Sequence, residues 1–436
     1  MSRFAALIDA GCEAAAPRTS GVVTGVVGLQ LSVAGIEAAI GDAITVASTA
    51  GPVSAEVVAI TRDGLVCMPL GELAGVRVGS PAYAVGGALR VSVGRALLGR
   101  VIDGLGRPLD GRPLPAGLSR CSVVGSAPHP LTRTPVSRPL SLGVRVLDTL
   151  VPCGRGQRLG IFAGSGVGKS SLLSMMIRGT EADVSVLALV GERGREVQEF
   201  IMRDLGPEGL ARSVVVVATS DEPALVRLRA AQTATRIAEW FRDDGDDVLL
   251  LMDSLTRFAM AQREVGLSAG EPAATRGYPP STFSMLARLL ERAGTADRGS
   301  ITGLYTVLVD GDDMDEPVAD AARSILDGHI VLSRRNATAA HFPTVEPLDS
   351  VSRVAPAVTT PAQRALATEL RRLLAAHRDA RDLIEIGAYF PGTNRLVDRA
   401  IELEQPIRSF LCQDLDETLS AEASWAQLTH LLGGAP

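Results

Sequence analysis

Apolar positions along this chain change their period twice. Residues 21–85 carry short Val-rich runs broken by glycine turns, at 21–33, 43–46, 55–60, 65–70 and 76–85, with Arg62-Asp63-Gly64 as a hairpin signal. Five or six such strands fit a small closed β-barrel. The glycine- and proline-rich stretch 99–108 reads as a connector. Beyond Pro139, apolar runs of four to seven residues (159–163, 184–190, 214–218, 248–252, 302–309, 329–332) alternate with helical stretches such as 225–241. Continuously apolar strands separated by helices predict a parallel sheet buried on both faces. From about Val354 the pattern turns helical, and Leu366, Leu370, Leu373, Leu374 and His377 share one face of a helix opening at Pro361. At the other end, Phe4, Leu7, Ile8 and Cys12 form a short helical stripe that Pro17 ends. Such a stripe packs on its own domain or docks on a partner or a membrane surface.

Length and charge narrow the function. At 436 residues two or three domains are expected. Five widely spaced cysteines, with no CxxC pair, predict unpaired thiols in a reducing cytosol. No apolar stretch reaches 18 residues, and the first residues lack a signal peptide's apolar segment, so the chain is expected to stay in the cytoplasm. A net charge of -6 and 3% aromatics argue against nucleic acid as a partner. The first 90 residues hold seven acidic groups against five basic ones, which leaves no basic groove on the barrel.

Among 43 Lys and Arg residues there is a single lysine, Lys169, and it occupies the lysine of a Gly-Lys-Ser triplet. If any basic position served equally, a lone lysine would land there roughly one time in forty. A compact ammonium fits between a loop and phosphates where a planar guanidinium does not. The segment 159–170 reads as strand, glycine loop and helix start. Gly164, Gly166 and Gly168 let backbone N–H groups curl round an anion at a helix N-terminus. Gly164, Ser165, Gly166, Val167, Gly168, Lys169, Ser170 and Ser171 are therefore the expected nucleotide contacts, with Lys169 on the β- and γ-phosphates and Ser170 on Mg2+. Ala163 stands where the strict pattern begins with Gly.

The strand 248–252 ends in Asp253, placed to hold the metal's shell. The strand 186–190 ends in Gly191-Glu192-Arg193-Gly194-Arg195-Glu196. Glu192 is the candidate for polarising the attacking water, with Arg193 near the γ-phosphate and Glu196 near the metal's waters. From pattern alone a solvated charge cluster is an equal alternative.

These blocks resemble, over nearly the whole chain, the flagellar and type III secretion export ATPases, relatives of the catalytic subunits of rotary ATP synthases. The matching segments are LGRVIDGLGRP (98–108), AGSGVGKS (163–170), VGERGREV (190–197), DSLTRFAMAQR (253–263), GYPPST (277–282), LARLLERAG (286–294), ILDGHIVL (325–332) and LDSVSRV (348–354). The resemblance implies an α/β fold in which a RecA-like P-loop nucleotide domain (91–353) follows an N-terminal docking helix (1–20) and β-barrel (21–90) and precedes a C-terminal helical domain (354–436). It implies ATP and Mg2+ as cofactors and a homohexameric ring. Glu192 resembles the water-activating glutamate, Phe342 the aromatic that packs on adenine, and Arg353 the finger that reaches a neighbour's γ-phosphate. Further implied partners are a stator-like regulatory protein at the N-terminus, an export gate, export substrates and their chaperones. The implied location is peripheral, at the inner face of the cytoplasmic membrane.

Segments 386–389 and 397–401 are similar to the flagellar branch rather than the virulence injectisome branch, which stays the alternative along with a rotary synthase subunit. Two other classes compete. A catalytically silent ring subunit would carry an amide at Glu192. A nucleic-acid motor would need a basic groove.

Overall fold

The computed structural model describes residues 20–309 and 313–433. The stripe at 4–12, and the docking helix expected over 1–20 apart from its last residue, lie outside them. Six antiparallel strands, β1 (Ser20–Val27), β2 (Gln30–Ala34), β3 (Asp42–Val46), β4 (Val53–Thr61), β5 (Gly64–Pro69) and β6 (Pro81–Ala88), close into a barrel in the order β1-β2-β5-β4-β3-β6. Alternation makes it close: Leu31 and Val33 of β2 and Ile44 and Val46 of β3 point inward while their neighbours face out. The run at 21–33 is two strands, because Gly28 at φ +58 turns the chain between them. The run at 76–85 becomes strand only at Pro81, after turns that include Gly79.

A nine-stranded sheet follows. Its path uses β7 (Arg100–Asp103), β8 (Arg158–Ala163), β9 (Val184–Glu192), β10 (Ser213–Thr219), β11 (Asp247–Asp253), β12 (Ser300–Leu308), β13 (Gly328–Val331) and β14 (Val351–Ser352), in the order β14-β13-β8-β12-β11-β9-β10-β7. Neighbours along β13 to β7 run parallel, and β14 is antiparallel to β13. Strand β7 lies inside the stretch that pattern reads as a connector. Hydropathy misses it because two of its four residues are charged and buried. Arg100 is satisfied by Asp110 at 2.5 Å, and Asp103 accepts from the backbone N–H groups of Leu105 and Arg107.

Both sheet faces are covered, so side chains alternate between two cores. From β9, Val184, Val186, Ala188 and Val190 join the core beneath α3 (Ala224–Asp244) and α4 (Leu255–Ser268). Leu187 and Leu189 join the other core, with α1 (Arg145–Leu150), α2 (Lys169–Gly179) and the C-terminal helices. Those are α5 (Pro361–Glu385), α6 (Arg395–Glu402), α7 (Glu404–Leu411) and α8 (Ala421–Leu431). Helix α5 begins with a capping box between Thr360 and Gln363 and has Pro361 in its first turn. It buries Leu370 and Leu373 and leaves a charged outer face. Arg145 of α1 ties the C-terminal part to the sheet, donating to Gln427 Oε1 (2.7 Å) and to the Cys412 carbonyl (2.9 Å). Cys67 and Cys153 are buried free thiols.

The barrel is fastened to the sheet domain by a buried ion pair, Glu56 of β4 with Arg229 of α3. Burial pushes the Glu56 carboxyl above its usual range even though Arg229 opposes the shift. Removing one partner alone strands a charge in the interior. Arg229→Ala is expected to cost about 3–5 kcal/mol in chemical denaturation. A double replacement by Leu and Met should recover most of that loss.

Candidate active site

The sheet's parallel register brings the chemistry to one edge. Ala163 ends β8 opposite Leu308, Met252 pairs with Tyr305, and Leu189 pairs with Asp253, so the carboxyl ends of β8, β12, β11 and β9 lie side by side. From Ala163 the chain enters the glycine loop and then α2. Gly166 and Gly168 take φ of +73 and +85, a region where a β-carbon is strained. Gly168 caps α2 with no side-chain hydrogen bond, so the helix's first N–H groups stay free for an anion. The loop's anchor is Val167, buried at 1% exposure, whose carbonyl accepts from Thr344 Oγ1 at 2.6 Å. Ser165 and Ser170 are exposed.

The Lys169 ammonium lies between two carboxylates. It donates to Asp253 Oδ1 at 2.5 Å and sits 3.7 Å from Glu192 Oε1. Asp253 is 5% exposed, and the same Oδ1 accepts from Thr306 Oγ1 at 2.6 Å, which fixes the carboxylate's rotamer. Glu192 reaches this point through a bulge. The β9–β10 register shifts between Val190 and Glu192, and Gly191 adopts φ +72. The extra residue re-aims Glu192 along the sheet edge. A β-carbon at Gly191 is disfavoured twice, by the φ of +72 and by a tight approach of 3.1 Å to Arg257 Cβ.

Burial is the main cause that raises the Glu192 carboxyl above its ordinary value of 4.5, and the charge of Asp253 adds to it. Lys169 and Arg257 oppose the shift. Glu196 lies close enough to Glu192 to add the smallest contribution to that rise. Glu196 therefore stands beside Glu192, as its sequence position suggests. Arg193 does not join the cluster: its side chain is 77% exposed and pairs with Glu196 at 3.2 Å.

Two further residues of the site carry no signature of their own. Arg257 lies one helical turn beyond Asp253 on α4, and its buried Nε has no hydrogen-bond partner among the described residues. A buried guanidinium nitrogen beside Gly191 and Glu192 fits an anionic guest. Its place inside the DSLTRFAMAQR segment (253–263) is the signal that could have found it. Thr306, in the middle of an apolar run, has no such signal. For a divalent cation the donors are the Ser170 hydroxyl and Asp253, hard oxygens of the kind Mg2+ takes together with waters and substrate phosphates.

Phe342 is 45% exposed, and its ring lies beside the loop: a β-carbon at Gly168 would be 3.7 Å from Phe342 Cε1. Arg353 is elsewhere. Its backbone N–H donates to the Asp327 carbonyl, and Asp327 carboxylate oxygens take both the backbone N–H and the guanidinium of Arg158, which begins β8. The length of β8, about 16 Å, separates it from its own loop. The exposed Arg353 side chain donates weakly to the Arg323 carbonyl at 3.4 Å. A cavity of about 1040 Å³ opens at that same amino end, where Arg158 is engaged by Asp327 and Glu291 and Arg133 by the Ala293 carbonyl.

Comparison with known proteins places the chain in a family. The ATP synthase alpha/beta family nucleotide-binding domain matches residues 143–352, and the T3SS EscN ATPase C-terminal domain matches 359–430. A flagellum-specific ATP synthase of Bacillus subtilis is 52% identical over 416 residues, covering 95% of each chain. The chain belongs to the flagellar and type III secretion ATPase family. Within the family, the assembled ATPase EscN of the enteropathogenic E. coli type III secretion system superposes with a TM-score of 0.90. It is 44% identical and covers 95% of this chain and 100% of its own. EscN in complex with its central stalk EscO gives 0.88 at the same identity and coverage.

The raised Glu192 carboxyl yields a prediction whose sign is fixed. A carboxyl held more tightly protonated in the fold stabilises the protein below its ordinary value and loses that contribution as pH rises through the elevated one. At neutral pH the ionised Glu192 is therefore a cost. Glu192→Gln is expected to raise the melting temperature of the ligand-free ATPase by a few degrees at pH 7.5, a gain that shrinks toward pH 4.5. The same substitution should lower turnover by at least about a hundredfold. Calorimetry and phosphate release on one preparation check both.

Proposed function

We propose that this chain hydrolyses ATP to energise or prepare the export of proteins through a flagellar type III secretion apparatus. The observation that carries the reading is the Lys169 ammonium held against Asp253 and Glu192 at the mouth of a glycine loop. Free N–H groups of the loop and of α2 bind the phosphates, and Lys169 moves from Asp253 onto the β- and γ-oxygens. Ser170 and Asp253 would hold Mg2+, which would supply charge neutralisation on the phosphate oxygens. Glu192, freed from Lys169, accepts a hydrogen bond from the attacking water, with Glu196 positioned to share its proton. Arg257 turns its unpartnered Nε to the departing phosphate. Phe342 offers its exposed ring to the base.

The position of Arg353 supports action in trans, since it stands at the amino end of β8 and cannot reach its own loop. A head-to-tail ring then completes each pocket, and the assembled state of EscN supports a homohexamer. The flagellar branch is favoured by 52% identity to the Bacillus relative over 95% of the chain; the injectisome is the second reading, favoured by 50% identity to an SPI-2 type 3 secretion system ATPase over 87% of the chain and by the C-terminal match at 359–430. A stalk protein in the ring's centre, a stator-like regulator at residues 1–20, the export gate, chaperones and export substrates are the partners this reading assigns. No helix among the described residues is long and apolar enough to cross a membrane, and the reading places the ring in the cytoplasm, peripherally at the membrane's inner face.

Arg353→Ala is expected to cost on the order of a thousandfold in turnover while single-subunit ATP affinity stays the same. Mixing it with Lys169→Ala subunits should restore activity that neither has alone, because roughly a quarter of interfaces then pair an intact loop with an intact finger. A mixture as inactive as its parts would remove the trans role. Chelation of divalent cations should abolish turnover reversibly, and restored motility in a strain lacking its flagellar ATPase would decide the branch.

A further inference from the structure

Gln413 follows α7 in the C-terminal part, 5% exposed and far in sequence from every motif of the site. Its backbone N–H donates to the carbonyl of Phe342 at 2.9 Å. Its side chain is fully engaged: Oε1 accepts from the Arg145 backbone N–H (2.8 Å), and Nε2 donates to the carbonyls of Gly143 (2.8 Å) and Glu417 (2.8 Å). One backbone donor and two backbone acceptors allow only one orientation of the amide. The side chain thus locks the segment after α7 to the start of α1, and its main chain holds the residue proposed to face the base.

From the other side, Thr344 Oγ1 binds the Val167 carbonyl of the phosphate loop, so the segment 342–344 is stretched between the loop and Gln413. Two anchors fix the backbone while the Phe342 ring stays 45% exposed. That is the requirement for a stacking surface: a rigid support under a ring that is free on one side.

We infer that Gln413 is a positioning residue for the nucleoside end of ATP, through which the C-terminal helices set how tightly Phe342 holds the base. The inference rests on the proposed stacking role of Phe342 and deepens it. It gives the C-terminal part a defined route to the site. Any partner that shifts the segment between α7 and α8 relative to α1 acts first on the Phe342 backbone and so on base affinity, while Lys169, Asp253 and Glu192 stand on other elements and Thr344 holds the loop from the far end of the segment.

The test uses two substitutions of the full chain, Gln413→Glu, which turns an acceptor toward two carbonyls at nearly constant shape, and Gln413→Met, which keeps the volume. Steady-state kinetics are compared with the affinity for inorganic tripolyphosphate, which has no base. The expected result is a KM for ATP raised about tenfold with kcat within about twofold, and unchanged tripolyphosphate binding. Hydrogen exchange should quicken at residues 341–344 and keep its wild-type rate at 163–170. A merely structural role would lower the active fraction and leave KM alone, which overturns the inference, as does a parallel loss of tripolyphosphate affinity. Phe342→Ala separates the two layers: if it leaves KM unchanged, the stacking role itself fails. If it raises KM and the Gln413 variants do not, only the positioning role fails. Failure of both variants to fold would assign Gln413 to core architecture and reject the proposal.

Discussion

One ammonium between two carboxylates at the carboxyl edge of a parallel sheet sets the terms for this molecule. Asp253 and Glu192 both face the Lys169 ammonium, at 2.5 and 3.7 Å. A phosphate competes for the same lysine. The site therefore offers two partners for one charge, and in the proposed function a bound nucleotide takes Lys169 and frees a carboxylate for the attacking water. Every nearby detail supports this exchange: Thr306 fixes Asp253, the bulge at Gly191 aims Glu192, and Thr344 steadies the loop.

What the sequence shows well is whatever local chemistry repeats or excludes. The glycine loop was legible because its spacing and its lone lysine admit few other uses, and the barrel, as five or six strands, because glycine turns punctuate its Val-rich runs. The strands beneath the site were legible because burial on both faces leaves few polar positions. Strand β7 was hidden since Arg100 and Asp103 are buried with their partners, and hydropathy cannot distinguish a satisfied charge from a solvated one. Thr306 and Gln413 were hidden for another reason. Their work depends on neighbours brought near by folding, 53 and 268 positions away along the chain in the contacts that matter. Arg193 shows the limit of motif reading, since adjacency to Glu192 puts it in the right segment and the wrong direction.

The three parts of the chain are joined by buried polar contacts as well as by apolar ones. Glu56 with Arg229 joins barrel to sheet domain, and Arg145 with Gln427 and Gln413 joins sheet domain to the C-terminal helices. Such contacts demand specific geometry and are expensive to leave half-made, so they fix orientation where apolar packing would tolerate slippage. Arg353 extends the same logic outward. It stands a strand's length from its own loop, and the trans role proposed for it would make a complete pocket a property of the ring.

Closure of the N-terminal strands has a consequence of its own. An open sheet presents a row of unpaired backbone groups to which any extended polypeptide can add as a further strand. Here β1 and β6 pair with each other, so the barrel offers no such row. A machine proposed to work beside unfolded cargo is thereby kept from being jammed by it: the domain is blind to the one feature all unfolded chains share, and recognition has to come from side chains.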